Sequence, residues 1–311
     1  MRLAVIGAPF NSGGGNGGVA GAPRRLRQAG LVERLRADAS DAAEWGDVTF
    51  TPPDNVRDTT SQLIAPESLA EMVVALQQAV ASSLSDRRFP LVLGGDCPVL
   101  LGCLAGARDI HGRVGLLFVD GHEDAWPPTT STTGEAADME LGLALGRHVD
   151  RLPRSLRDLV PVVRPSDVTL LGPRDQQELA TAGVASLHPE VDLYDDVAVA
   201  AHPAQIAATA ASRLSSTVGA WWLHVDLDVL ATDALAAVDY PQPGGLDWST
   251  LERLTRAALS VPGVVGWDVT IYNPDLDPDG ACATRIIEYI AGSLALDQLE
   301  ISSAFRSRPT T

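Results

Sequence analysis

Short apolar runs alternate with longer stretches of helical periodicity along almost the whole chain, and this alternation limits the fold more than any other feature. The apolar runs are Leu3–Ala8, Leu91–Leu93, Val114–Asp120, Val168–Leu171, Ala220–Asp226 and Val264–Thr270. The helical patterns lie at Pro23–Ala37, Leu69–Leu84, Val99–Ala107, Ala136–Leu145, Pro203–Leu214, Trp248–Leu259 and Ala283–Leu294. Strands that alternate with helices build βαβ units, and the helices cover both faces of a mainly parallel sheet. The expectation is an α/β fold of three layers, α/β/α, around such a sheet. The 311 residues, 45% of them hydrophobic, suffice for one large core or two modest ones. With no internal repeat and no low-complexity linker, a single domain over residues 1–311 is expected. Pro52–Ser61 and Ala125–Gly134 read as surface loops. Ligands of such sheets bind beyond the carboxyl ends of the strands.

Three of those ends carry metal-ligand chemistry. Val114–Asp120 runs into Asp120-Gly121-His122-Glu123-Asp124. Alternate side chains of an extended chain share one side, which predicts that Asp120, His122 and Asp124 converge. A second run ends in Asp226-Leu227-Asp228, and a third leads into Gly94-Gly95-Asp96-Cys97. Taken singly, an Asp-x-Asp at a strand end also reads as a turn or a helix cap. Together, carboxylates at this density cannot all stay ionised without a cation, and two divalent ions would resolve the repulsion. Other motifs carry less. The glycine-rich stretch Gly13–Gly18 lacks the Lys-Ser/Thr ending of a P-loop and the spacing of a dinucleotide fingerprint, so it reads as a flexible loop. Asp275-x-Asp277-x-Asp279-Gly280 begins like an EF-hand loop, but its twelfth position is Ile286 where a glutamate is needed.

Composition narrows the partners. Net charge is −17, and all 23 basic residues are arginine. Such acidity disfavours nucleic acid and anionic membranes, leaving a small molecule as the expected partner. No apolar run reaches the ~18 residues of a membrane-spanning helix, and the short apolar start reads as a first strand, not a signal peptide. Cys97, Cys103 and Cys282 are too few for a disulfide framework, which fits a reducing cytoplasm.

In this order and spacing the segments resemble the ureohydrolase signatures of the arginase and agmatinase superfamily: a Gly-Gly-Asp-His strand end, an Asp-x-His-x-Asp and a Ser-x-Asp-x-Asp. Here Cys97 replaces the histidine of the first, and His224 the serine of the third. The opening Ile6-Gly7-Ala8-Pro9-Phe10, with Gly18-Val19 and Leu26-Arg27 after it, resembles the family too, as do Asp268, Asn273-Pro274, Asp277 and Gly280 near the other end. The resemblance implies that Asp120 and Asp226 bridge two ions, that Asp124 and Cys97 complete one and His122 and Asp228 the other, and that Asp96 stands behind them. It implies manganese, with Zn2+ or Fe2+ as alternatives because a cysteine thiolate is a softer donor. It also implies a metal-bridging hydroxide that attacks an amidine or guanidine carbon, and a homotrimer or hexamer.

The departures matter as much. Where arginases place a histidine that moves protons, this chain has Ala137, followed by Asp138. Asp138, Glu135 and Glu123 are candidate replacements, so the expected catalytic residues are Asp124, Asp138 and Glu135. Where arginases hold the substrate guanidinium with a glutamate, this chain has Ile271, and their aspartate for the substrate amino group aligns with Gln177. The Nω-hydroxy-arginine amidinohydrolases are similar in having cysteine at the position of Cys97, Asp-Gly-His, and a small residue at that of Ala137, but they keep the glutamate. The expected activity is cleavage of a C–N bond in a modified guanidine, amidine or amide, and not ordinary arginase activity. A silent metal- or partner-binding relative is the alternative.

Overall fold

A computed structural model of the protein describes residues 1–38 and 41–295. Its strands are β1 (Arg2–Ala8), β2 (Asp41–Asp47), β3 (Phe89–Gly94), β4 (Gly115–Val119), β5 (Val168–Leu171), β6 (Asp192–Tyr194), β7 (Trp221–Asp226) and β8 (Val264–Thr270). They form one eight-stranded sheet in the order β2-β1-β3-β8-β7-β4-β5-β6. Every strand pairing is parallel.

Alternation along each strand builds the two faces. Leu3 and Val5 of β1, Leu91 and Leu93 of β3, and Leu223 and Val225 of β7 join one apolar layer; Ala4 and Ile6, Val92, and Trp222 join the other. Helices Ala22–Gln28, Leu31–Ala37, Pro203–Thr217, Trp248–Leu259 and Ala281–Leu294 cover the first face. Pro66–Ser85 and Val99–His111 cover the second. The expected three-layer α/β/α architecture is therefore present. The expected domain limit at residue 311 includes 296–311, which lie outside the described residues.

Each expected strand forms. β2 and β6 were not expected: both are sheet edges, and their half-exposed sequences lack the apolar run of a strand buried on both faces. The helix expected over Pro23–Ala37 is two helices, because Gly30 turns the chain in the left-handed region at φ 96°. The stretch Ala136–Leu145 is a 3-10 turn at Ala136–Asp138 followed by a short helix, Glu140–Ala144. That break fixes where Glu140 points.

Candidate metal centre

β3, β8, β7 and β4 are consecutive neighbours at the middle of the sheet, so the chain segments leaving their carboxyl ends meet. Asp120 follows β4 and is 0% exposed. Its Oδ1 accepts the His122 backbone N–H at 2.7 Å. The His122 ring Nδ1 lies 3.5 Å from Asp120 Oδ1 and 2.9 Å from Asp228 Oδ2. Asp228 Oδ1 accepts the Gly121 N–H at 3.1 Å. A Cβ at Gly121 would stand 2.9 Å from Asp228 Oδ1 and 2.4 Å from Arg174 Nη1, so a side chain there would have to displace both. Asp226 Oδ1 accepts the Asp228 N–H at 2.7 Å, while its Oδ2 accepts from the Cys97 thiol and, at 3.3 Å, from Thr270 Oγ1.

The structure thus brings Cys97, Asp120, His122, Asp226 and Asp228 together. Asp124 arrives by a different route from the one expected. The chain leaves extended geometry after Asp120, and Asp124 sits in the left-handed region at φ 42°. Its carboxyl stands against that of Glu140, so an extended i, i+2, i+4 run is not what places it.

Two residues that the sequence reading gave no role belong here. Glu140 is 0% exposed, and neither carboxylate oxygen has a hydrogen bond of ordinary geometry among the described residues. His224, also 0% exposed, stacks on Phe118 at 4.6 Å. Its Nδ1 lies 2.5 Å from Asp268 Oδ2, and Trp222 Nε1 donates to the other oxygen of Asp268. His224 Nε2 is left without a partner, 3.9 Å from Asp120 Oδ2, which is also unpartnered. Donor atoms of Cys97, Asp120, Glu140 and His224 lie within 4.8 Å of one another, as do those of Asp120, His122 and Asp228. His224 had a signal in the sequence, an imidazole where the motif has a serine. Glu140 had none: it follows closely on Asp138, in a stretch read as helix, and belongs to no motif.

Electrostatics follow from burial. Burial first, then neighbouring carboxylates, raises the pKa of Asp120, Asp124 and Asp226, and of Glu140. Burial would raise Asp228 too, but the His122 imidazole outweighs it and the net shift is down. A cation reverses this logic, because its charge favours the ionised forms. The residues present fit such a group: buried donor atoms of Cys97, Asp120, Glu140 and His224 face one another, Asp120 Oδ2 and His224 Nε2 lack partners, and the Glu140 carboxyl meets that of Asp124.

The remaining candidates lie elsewhere. Asp96 accepts backbone N–H groups of Ser12 and Cys97 at 2.8 and 3.0 Å and ties the β3 end to the glycine-rich loop. Glu123 accepts from Ser186 Oγ and the Leu187 N–H, holding two loops together. Asp138 Oδ2 accepts from Ser131 and Thr133 hydroxyls at 2.7 and 3.0 Å; burial lifts its pKa to about 6. Glu135 accepts from Tyr240 OH at 3.1 Å, and burial, then Asp96, lifts it to about 7. Asp96, Glu135 and Asp138 thus form a second acidic group with Asp239. Cys97 is 3% exposed, and burial, then Asp226, pushes its thiol up. Ile271, 3% exposed, takes φ 69° and donates its N–H to Gly95 O at 2.7 Å, a left-handed backbone that a β-branched residue rarely adopts.

A family model described as the arginase family matches residues 1–296. The Sus scrofa protein arginase-1 is 32% identical over 178 residues, covering 56% of this chain and 55% of that protein. Homo sapiens arginase-1 is 28% identical over 294 residues, covering 92% of this chain and 89% of that protein. Among solved structures, the arginase of Bacillus caldovelox superposes with a TM-score of 0.82 at 25% identity, over 96% of this chain and 99% of that one.

Proposed function

The chain belongs to the arginase family, and on that premise we propose that it is a hydrolase dependent on two divalent ions, manganese first among them, that cleaves a C–N bond in a modified guanidine, amidine or amide of low basicity. The observation that carries this reading is the buried group of carboxylates, imidazoles and a thiol whose donor atoms lie within 4.8 Å of one another, with His224 Nε2 and Asp120 Oδ2 unpartnered. Asp120, Asp226, Asp228, His122, Asp124 and Cys97 are the residues that would hold the ions. When bound, the ions would supply Lewis acidity and lower the pKa of water toward ~7, giving a nucleophile at neutral pH.

The protein's own residues shape the rest. The backbone N–H groups of Gly121, His122 and Asp228 fix the carboxylates of Asp228, Asp120 and Asp226 respectively. Ala137 carries no proton, so a leaving group that needs prompt protonation is poorly served there. Ile271 offers no charge, and a guanidinium buried without a carboxylate partner is costly. A hydroxyguanidine or amide, being less basic, escapes that cost.

Elemental analysis of purified protein should give about two ions per chain. Arginine, hydroxyarginine, agmatine, guanidinobutyrate and simple amides, followed for urea or ammonia, should then show turnover of a less basic member and none of arginine. Robust hydrolysis of arginine overturns the substrate assignment. Less than one ion per chain, with no turnover of any compound, overturns the hydrolase reading and favours a silent relative.

A further inference from the structure

We propose that Glu140 and His224 are metal ligands, and that with Cys97 and Asp120 they make an N,S,O site for a borderline divalent ion of the zinc, iron(II) or cobalt(II) class, chemically unlike the site at Asp120, His122 and Asp228 beside it. The inference rests on the metal-dependent reading above and goes further by assigning donors that reading does not use.

Four donors of three chemical kinds fall within 4.8 Å of one another on four separate segments: Cys97 after β3, Asp120 after β4, His224 within β7, and Glu140 at the start of the helix Glu140–Ala144. Glu140 and His224 are both 0% exposed. His224 Nε2 and Asp120 Oδ2 lack partners, and the Glu140 carboxyl meets that of Asp124, another acid.

His224 is prepared as a ligand. Asp268, itself held by Trp222 Nε1, accepts from His224 Nδ1, which leaves the lone pair on Nε2 facing Asp120. A carboxylate behind the far ring nitrogen is the arrangement that fixes tautomer and ring orientation in metal-binding histidines. The Phe118 ring stacked on the imidazole, at an interplanar angle of 18°, holds its plane. A histidine placed only for packing has no need of a carboxylate on one nitrogen and a second nitrogen turned into an acidic cluster.

The donor set selects the ion. A thiolate and an imidazole favour zinc-class ions over magnesium or manganese, while two carboxylates and an imidazole without sulfur accept manganese. Binding takes one proton from Cys97 Sγ, now donated to Asp226, and releases it to solvent as the thiolate coordinates. The two neighbouring sites are therefore expected to differ in preference, sharing Asp120.

Cobalt(II) reports both stoichiometry and sulfur ligation. The full-length protein is stripped with chelator, reloaded with cobalt(II) and read by elemental analysis and by the ultraviolet thiolate-to-cobalt charge-transfer band, with circular dichroism to check the fold. Wild type should hold about two ions and show the band. Cys97→Ser should lose the band. Glu140→Gln, which keeps the shape of the side chain, and His224→Asn should each lose about one ion and the band, whereas His122→Asn should lose an ion and keep the band. Asp268→Asn, which touches no ion, should weaken the banded site about 10–100-fold. Two ions and an unchanged band in folded Glu140→Gln and His224→Asn overturn the proposal while leaving the metal-dependent reading intact. Wild type that binds no cobalt and no manganese overturns both.

Discussion

Asp120 is shared by both groups of donors and is wholly buried, so it is the single side chain whose loss should disable the whole centre. Asp120→Asn keeps the shape but removes the charge and replaces an acceptor with a donor. It is expected to carry less than about one ion per chain where wild type carries about two, and to be inactive, with elemental analysis as the measurement. Wild-type metal content in this variant contradicts the assignment. Glu135 makes a separate case. Burial, then Asp96, lifts its pKa to about 7, so it is neutral below and ionised above that value. If its carboxylate takes the proton that Ala137 does not, activity rises as pH passes about 7, and Glu135→Gln abolishes that limb of the profile. An identical profile in the variant assigns proton transfer elsewhere.

At the scale of elements, the sheet places most of the ligands, one short helix brings Glu140, and the longer helices cover the faces. Asp247 caps the helix Trp248–Leu259 by accepting the Thr250 N–H at 2.7 Å. Asp247→Ala should lower stability by about 0.5–2 kcal/mol, read as a lower denaturant midpoint at an unchanged slope, with metal content untouched. Loss of metal in that variant would show the helix coupled to the centre. The turn after β4 is the opposite case. A Cβ at Gly121 stands 2.9 Å from Asp228 Oδ1, so Gly121→Ala should push that carboxylate away and weaken metal binding while costing little global stability. Tight binding equal to wild type in a metal titration would show that Asp228 has room to move. Elements were legible where a single pattern ran uninterrupted. The buried strands read clearly because they are apolar throughout, whereas the edges β2 and β6, together with the break at Gly30, depend on where the sheet stops and how the chain must turn.

For the molecule as a whole, the acidic centre ties folding to both ions and pH. Asp124, Glu140 and Asp226 are held well above the ordinary carboxylate range by burial first, and Asp138 is lifted to about 6. A carboxyl with a higher pKa folded than unfolded contributes stability fully below its unfolded pKa of about 4, and loses that contribution as pH rises through the folded value. Asp228, lowered beside His122, runs the other way. The stripped protein is therefore expected to melt at a lower temperature at about pH 8 than at about pH 6. Ions bind the ionised carboxylates and only the folded state assembles them, so added metal should raise the melting temperature in a concentration-dependent way, most at the higher pH. Calorimetry with chelator and with added manganese checks both trends. A stripped protein that becomes more stable between those pH values would contradict this account.

The sequence by itself determined the layers and most of the donors, because strand and helix periods are local and the acidic motifs lie within a few residues of strand ends. It could say that Asp120, His122, Asp226 and Asp228 stand at such ends. The order β3-β8-β7-β4, which sets those ends side by side, was decided by the tertiary structure alone. So was the arrival of Glu140, carried in by a turn and a short helix from outside every motif, and the freeing of His224 Nε2 by Asp268 on the neighbouring strand. Convergence in space depends on which strands pair, and pairing is a property of the packed sheet that no stretch of chain carries alone.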